Sequence, residues 1–428
     1  RQTEPPAIEP VILSMLSNDS QALYVSYDGA LEPLGESQVV NYLTRLSANY
    51  RITLISFEKP EDLSDHTRVI AMEQRFHAFG INWIPLRYHK SPPVFSTIFD
   101  VVCGALTAWR VCQEGTIRIV HARGYVAALV ALFVRRDGAS RFLFDMRGFW
   151  VDEKVEAGHW RAHGFLYRLG KWWERRFFER ADAIVSLTKA GVQALPALGY
   201  EIPDTVPTVV IPTCVDLQRF KPISKDPDLV GSLGLQGKLV IGCVGTMSNW
   251  YMRNEMLRYL AYLSKSIESL RVLIVTREDH EALRRDAVAS GVPDSAMVLT
   301  RASFSEMPRY TSLFDAGLFF IRPTLSKRAS AATKLAEFLS CGVPVILNDG
   351  VGDSGAIVRH HDVGVVLTAM DQEEFVASLP PVRALFTSLE MSKRCRRVAS
   401  ELFDIEKGTE EYRKLYESLD DGPMEKTA

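Results

Sequence analysis

From about residue 21 onward, short apolar runs rich in β-branched residues alternate with longer stretches in which apolar positions recur every three to four residues. The first pattern fills a buried strand and the second covers one face of a helix, so the alternation predicts βα units on a parallel sheet. Strands are predicted at Ala22–Ser26, Ile52–Phe57, Ile117–His121, Phe142–Asp145, Ile184–Leu187 and Val209–Ile211. A second series follows at Leu239–Val244, Val272–Val275, Val298–Leu299, Ala316–Ile321, Val343–Leu347 and Val363–Leu367. The chain therefore reads as two similar halves, an α/β fold of two Rossmann-like domains facing across a cleft.

The stretch from Ile211 to Asp228 is dense in proline and turn formers and is read as the linker, with a hinge at 213–225. Residues 1–20, rich in Pro and Ser and without periodicity, are expected to be a flexible leader. The first domain is then 21–213, the second 214–402, and 403–428 a last helix and tail. Helical spacing and mixed charge from Asp404 to Leu419 predict a last helix that packs on one of the two domains. Open α/β sheets bind ligands at the carboxyl ends of their strands, so the cleft is the expected site.

Composition narrows the function classes. With 47% hydrophobic and 24% charged residues in 428, the chain has enough apolar material for real cores. Fifty Lys and Arg against 52 Asp and Glu leave a net charge of −2, so no global basic field exists to hold a nucleic acid. The longest clean apolar run, Tyr125–Val134, is well short of the roughly 20 residues that cross a bilayer. The six cysteines, Cys103, Cys112, Cys214, Cys243, Cys341 and Cys395, are scattered without paired spacing, which fits a reducing, cytoplasmic setting. Asp226 and Asp228 form a DxD, but in the linker rather than at a strand end; no metal or cofactor is expected.

The richest segment for chemistry runs from Lys327 to Ile346. A helix is predicted from near Ser330, stopped by Gly342 and Pro344. Its unpaired amides and positive dipole end suit a phosphate, and Lys327, Arg328 and Lys334 add positive charge beside it. Lys334 and Glu337 share a helix face. Glu337 is placed to accept hydrogen bonds from ribose hydroxyls; an ordinary surface Lys–Glu pair is the other reading.

Further polar groups fall at predicted strand ends. Gly35 precedes a predicted helix Glu36–Leu46, which fits either backbone approach to a diphosphate or a tight βα loop. His121 and Arg123 follow one strand and Asp145 and Arg147 the next, putting four polar groups at the expected rim of the cleft. Gly245–Tyr251 follows the first strand of the second half, where Trp250 and Tyr251 either wall a pocket or pack on neighbouring loops. Arg277 and Arg301 follow later strand ends.

The segment from Ser330 to Ile346, S-x-x-T-K-x-x-E-x-L-x-C-G-x-P-V-I, resembles the donor-binding helix of GT-B glycosyltransferases of family 4. Pro33–Gln38, Val120–Tyr125, Phe144–Trp150, Val215 with Asp216, and Gly245–Tyr251 follow the same family pattern in order, over about residues 22–415. The resemblance implies retaining, metal-independent transfer from a nucleotide sugar, UDP- or GDP-linked, to a hydroxyl of a saccharide or lipid-linked acceptor, in bacterial surface polysaccharide or glycolipid assembly. It implies a GT-B architecture, two Rossmann-like domains facing across a cleft with the last helix crossing back to the first domain, and acceptor binding by the first domain and donor binding by the second. Gly245, Thr246, Arg253, Arg301, Lys327, Thr333, Lys334 and Glu337 would form the donor site with Gly35, while His121, Arg123, Asp145 and Arg147 would serve catalysis.

The chain also departs from the pattern. The family's E-x7-E pair lacks its first carboxylate, since Ala329 stands eight residues before Glu337, and the amides and hydroxyls of Ser326–Thr333 are expected to contact the donor sugar instead. Thr246 follows Gly245 where a basic pattern is usual, so Arg253 and Lys334 are expected to compensate. Asp145, Met146 and Arg147 occupy a place where many members carry histidine. A GT-B sugar-nucleotide epimerase and a non-catalytic nucleotide-sugar-binding protein therefore stay open as alternatives. Arg168–Arg180, with four aromatic residues among basic ones, and the apolar Val94–Cys112 fit either sheet-covering helices or peripheral contact with an anionic membrane at its inner face.

Overall fold

The computed structural model describes residues 21–135 and 139–421; the leader expected at 1–20 and the end of the tail lie outside the described residues. Seven parallel strands form the first sheet: β1 (Gln21–Ser26), β2 (Arg51–Glu58), β3 (Asn82–Arg87), β4 (Ile117–Arg123), β5 (Arg141–Asp145), β6 (Ala183–Ser186) and β7 (Thr208–Val210). Their order is β3-β2-β1-β4-β5-β6-β7. The second sheet holds β8 (Leu239–Val244), β9 (Leu270–Val275), β10 (Met297–Thr300), β11 (Ala316–Phe319), β12 (Val345–Asn348) and β13 (Gly364–Leu367), in the order β10-β9-β8-β11-β12-β13. Strand order reverses at β1/β4 and at β8/β11, and those switch points open a crevice at the strand carboxyl ends.

Strand β3 was not among the predicted strands, because Pro85 interrupts its run. It pairs only with β2 at the sheet edge, where the missing proline N–H breaks no ladder on the outer side.

The helices that matter for the site are α1 (Asn41–Leu46), α2 (Phe95–Glu114), α3 (Tyr125–Val134), α4 (Trp150–Glu156), α5 (Phe165–Arg180), α6 (Lys189–Ala194), α7 (Arg253–Ser266), α8 (Thr333–Ser340) and α9 (Ile405–Asp420). Side chains alternate across each strand of the first sheet, so the sheet carries two cores. Leu23, Val25, Phe144 and Phe177 join the face under α2, α3 and α5. Ala22, Tyr24 and Leu143 join the opposite face under α1 and α9. The last helix therefore crosses back to the first domain, burying Ile405, Tyr412, Leu415, Tyr416 and Leu419 there. Each such side chain contributes roughly 2 kcal/mol of burial.

Two chain segments cross between the domains, and they lie side by side. Val215 N donates to Phe403 O at 2.8 Å, and Ile405 N donates to Val215 O at 3.1 Å. In the second domain, Phe338 of α8 presses directly on β11; a Cβ on Gly317 would lie 2.3 Å from its ring. That close approach seats α8 at the switch point.

Helix α2 has 20 residues, and an 18-residue stretch of it has mean hydropathy 1.3, long and apolar enough by length and composition to cross a membrane. Ser96, Thr97 and Asp100 interrupt its apolar sequence, so it holds no apolar run as long as Tyr125–Val134. In the fold it is one layer of the sheet domain, with Asp100 buried and accepting from Tyr27 Oη at 2.8 Å.

Candidate active site

Helix α8 begins at Thr333, three residues later than expected at Ser330, because Ser326–Ala329 forms its own 3-10 turn and Ser330 is extended. No side chain caps the α8 N-terminus, and Gly342 at φ +77° follows its end. Its first turn meets the loop after β8. Lys334 Nζ lies 3.4 Å from Thr246 O and 3.5 Å from the centre of the Tyr251 ring. Gly245 turns the loop at φ +76°, a backbone conformation that side chains disfavour, and a Cβ there would only touch Lys334 Cε, at 3.6 Å.

Burial sets the charge state of this corner. It pushes the Lys334 ammonium down to about 8 and the Glu337 carboxyl up to about 7, the latter opposed by Lys334 and Arg219. Arg219, from the linker, stacks 3.9 Å over the Phe304 ring and sits 3.8 Å from a carboxylate oxygen of Glu36 in the first domain. Arg219 thus joins both domains beside Glu337.

The β8 loop is held from behind by Glu278. Its carboxylate accepts from Thr246 Oγ1, Arg253 Nη2, Ser248 Oγ at 2.8 Å and Met247 N at 3.2 Å. Burial opposes ionisation of Glu278, but these donors outweigh it and lower its pKa. Arg253 also pairs with Asp286 at 3.1 Å. Two carboxylates therefore engage the guanidinium that was expected to face the diphosphate. Thr333 is half-buried at the start of α8, and Arg301 is exposed at the end of β10. Glu278 and Arg219 were given no role by the sequence reading; Glu278 follows β9 directly after Arg277, and its position at a strand end was the available signal.

The turn Ser326–Ala329 differs from expectation. Its polar groups face the first domain, and Glu156 of α4 takes both the amide of Ser326, at 3.1 Å, and its hydroxyl. Lys327 is 7% exposed, with Nζ 3.1 Å from Glu153 Oε2 and 3.8 Å from the centre of the Trp250 ring. Thr188 Oγ1 donates to Arg328 O at 2.6 Å, and Ala329 is fully buried in the core of the first domain. The missing first carboxylate of the acidic pair thus coincides with an apolar contact between domains. Asp353 completes this clasp by accepting from the amides of Lys189 and Ala190, at 2.7 and 2.9 Å, at the start of α6.

His121, Arg123, Asp145 and Arg147 do come together, but not on an open rim. Asp145 is fully buried and accepts from Tyr412 Oη at 2.9 Å, with His121, Arg123 and Arg147 nitrogens at 3.7, 3.8 and 3.7 Å. His121 is 1% exposed and its Nδ1 lies 2.9 Å from Tyr416 Oη. Strand alternation places Tyr24, His121 and Arg123 on the face that α9 covers, which the strand-end argument alone did not consider. Burial opposes ionisation of Asp145, yet Arg147 and the neighbouring donors hold it down to about 2; burial pushes His121 down. Arg123 links the cluster outward, with Nε 3.4 Å from exposed Asp28. Gly35 is buried, and a Cβ there would lie 1.8 Å from Gly29 O, so its bare backbone is used against that loop.

Two family models match this chain in sequence order: a glycosyl transferase 4-like domain over residues 38–214 and glycosyl transferases group 1 over residues 238–380. The chain belongs to the GT-B glycosyltransferases. Sucrose-phosphate synthase from Thermosynechococcus elongatus superposes with a TM-score of 0.71 at 14% identity, covering 94% of this chain and 99% of that one. A glycosyltransferase from Rickettsia africae gives 0.68 at 14% identity, over 95% and 100% of the two chains. Anabaena Alr3699/HepE, solved with UDP and glucose, gives 0.67 at 14% identity, over 93% and 100%. At this identity the likeness is one of fold. No curated protein matches the sequence.

In this glycosyltransferase the linker DxD has a local task. Asp226 Oδ1 accepts from the amides of Asp228 and Leu229 to cap a short helix, and its Oδ2 pairs with Arg309 at 2.7 Å.

Proposed function

We propose that this GT-B enzyme is a retaining, metal-independent glycosyltransferase that moves a hexosyl unit from a UDP- or GDP-sugar to a hydroxyl of a saccharide or lipid-linked acceptor. Its setting would be the assembly of bacterial surface polysaccharide or glycolipid in the cytoplasm. The observation that carries the reading is the uncapped N-terminus of α8, with Lys334 laid across the β8 loop at the crevice. A diphosphate at that position meets helix amides and one ammonium, each preorganised donor being worth roughly 3 kcal/mol toward the charge that develops on the leaving group. The second domain thereby holds the donor, and the first holds the acceptor.

In this reading Glu337 receives the ribose hydroxyls, and its raised pKa favours a carboxyl that both donates and accepts. Arg219 and Phe304 offer a cationic and an aromatic surface beside it. Arg253, held by Glu278 and Asp286, positions the β8 loop. The clasp from Ser326 to Asp353 holds the two domains together over the reactants. A diphosphate oxygen takes the acceptor proton, so no protein base is required. The UDP complex of HepE supports UDP as the first donor class to test.

The test is incubation with UDP- and GDP-sugars, with and without an acceptor panel, followed by NMR of the product anomer. Acceptor-dependent transfer with retained anomeric configuration is expected. Inverted product, isomerised nucleotide sugar without acceptor, or nucleotide binding without turnover would each overturn the proposal.

A further inference from the structure

The outer surface of the first domain is unlike the rest of the molecule. Of the seven exposed Phe and Trp side chains among the described residues, six lie on α2, α3 and α5, and none lies in the second domain. These helices cover one sheet face with their inner sides, through residues such as Ala108, Val130 and Phe177. Their outer sides stay in solvent: only 28% of the apolar window of α2 is buried. Phe95, Ile98, Val102, Leu106 and Trp109 recur at helical spacing along it, each at least half exposed. Phe133 of α3 lies 6.2 Å from Trp173, so the apolar surface passes from α2 through α3 to α5.

The charge on this face is mostly basic: Arg110 and Glu114 are exposed on α2, and α5 adds four exposed arginines. Exposed positions of α5 interleave Phe165, Leu169 and Trp172 with Arg168, Arg175, Arg176 and Arg180, against a single exposed acid, Glu179. Both α2 and α5 return between parallel strands and so start at the strand carboxyl ends. Their first residues, Phe95 and Phe165, are 73% and 78% exposed and mark the cleft side of the face. Asp100 ties this end of α2 to Tyr27, just beyond β1.

We infer that the α2–α3–α5 face docks on an anionic phospholipid surface, with its aromatic side chains in the headgroup boundary and its arginines on lipid phosphates. The mouth of the cleft then lies at the membrane, where a lipid-linked hydroxyl is within reach. A second copy of the chain is disfavoured as the occupant, because two such faces would bring like-charged arginine rows together.

The experiment is co-sedimentation of the full chain with vesicles of phosphatidylcholine alone and of phosphatidylcholine with phosphatidylglycerol. Binding is expected only to the anionic vesicles, weakening as salt is raised. Phe95→Ser with Leu106→Ser, and separately Arg168→Glu with Arg175→Glu, should each lower partitioning at least about tenfold with unchanged melting. Quenching of tryptophan fluorescence by brominated lipid tests the wild-type chain directly and should be strong. Equal binding to neutral vesicles, unaltered binding by both pairs, absent quenching, or a dimer that Phe95→Ser with Leu106→Ser makes monomeric would overturn the inference. Vesicle binding needs no nucleotide sugar, so this result stands apart from the transfer assay.

Discussion

The Lys334 ammonium rests 3.5 Å from the centre of the Tyr251 ring, at the junction of α8 and the β8 loop. The ring face attracts the cation and the Thr246 carbonyl accepts from it, yet burial still dominates and draws its pKa down to about 8. The site thus holds a cation poised near neutrality, one that a bound diphosphate would keep protonated.

Donor affinity should depend on pH through Lys334. A diphosphate binds the ammonium form, so deprotonation of Lys334 should make affinity for UDP fall as pH rises above about 8, approaching tenfold per unit. Lys334→Met should abolish that slope and cost about 2 kcal/mol, roughly thirtyfold, at neutral pH. Titration calorimetry across the range checks both. The folded pKa lies below the ordinary 10.5, so the unfolded chain binds more protons between about 8 and 10.5, and Lys334's contribution to stability rises with pH there. The same substitution should flatten that rise in urea denaturation.

His121 should matter to stability more than to donor binding. Its ring lies 4.2 Å from Tyr24 and is sealed by Tyr416, so His121→Ala should lower unfolding free energy by about 3 kcal/mol and leave UDP affinity unchanged. Because burial lowers its folded pKa, the unfolded chain gains a proton first as pH falls through about 6.5, and stability drops in that direction. Urea denaturation at several pH values reads this contribution, which should be absent in the variant. Loss of UDP affinity in a fully folded His121→Ala protein would point to contact with the donor instead.

The domain clasp should control closure. Glu153→Ala with Glu156→Ala removes the partners of Lys327 and Ser326, each worth about 1 to 2 kcal/mol. Small-angle scattering should show a larger radius of gyration, and kcat should fall while UDP affinity holds. An unchanged scattering profile with unchanged kcat would remove the clasp from the account.

Much of the architecture is legible from periodicity, because buried parallel strands and amphipathic helices write their patterns locally. Pro85 hid β3 because its tolerance depends on being at the sheet edge, a property of strand order rather than of sequence. The start of α8 was misjudged for a related reason: Ser326–Ala329 has helical composition, and only its docking against Glu156, Thr188 and the core of the first domain makes it a separate turn. Burial of His121 follows from α9 returning almost 300 residues later in the chain. That Lys334 and Glu337 share one helix was readable, because their spacing is local. Arg219 and Glu278 act through distant partners, Glu36 and the β8 loop, and local spacing carries no trace of such pairings.

The central claim is that the first turn of α8 receives the donor diphosphate. Titration calorimetry of UDP against the wild-type chain, Lys334→Ala and Glu337→Ala, with thermal melting as the folding control, tests it most directly. The account predicts at least a tenfold loss of affinity in each variant at nearly unchanged melting temperature. Wild-type affinity in both folded variants would contradict it.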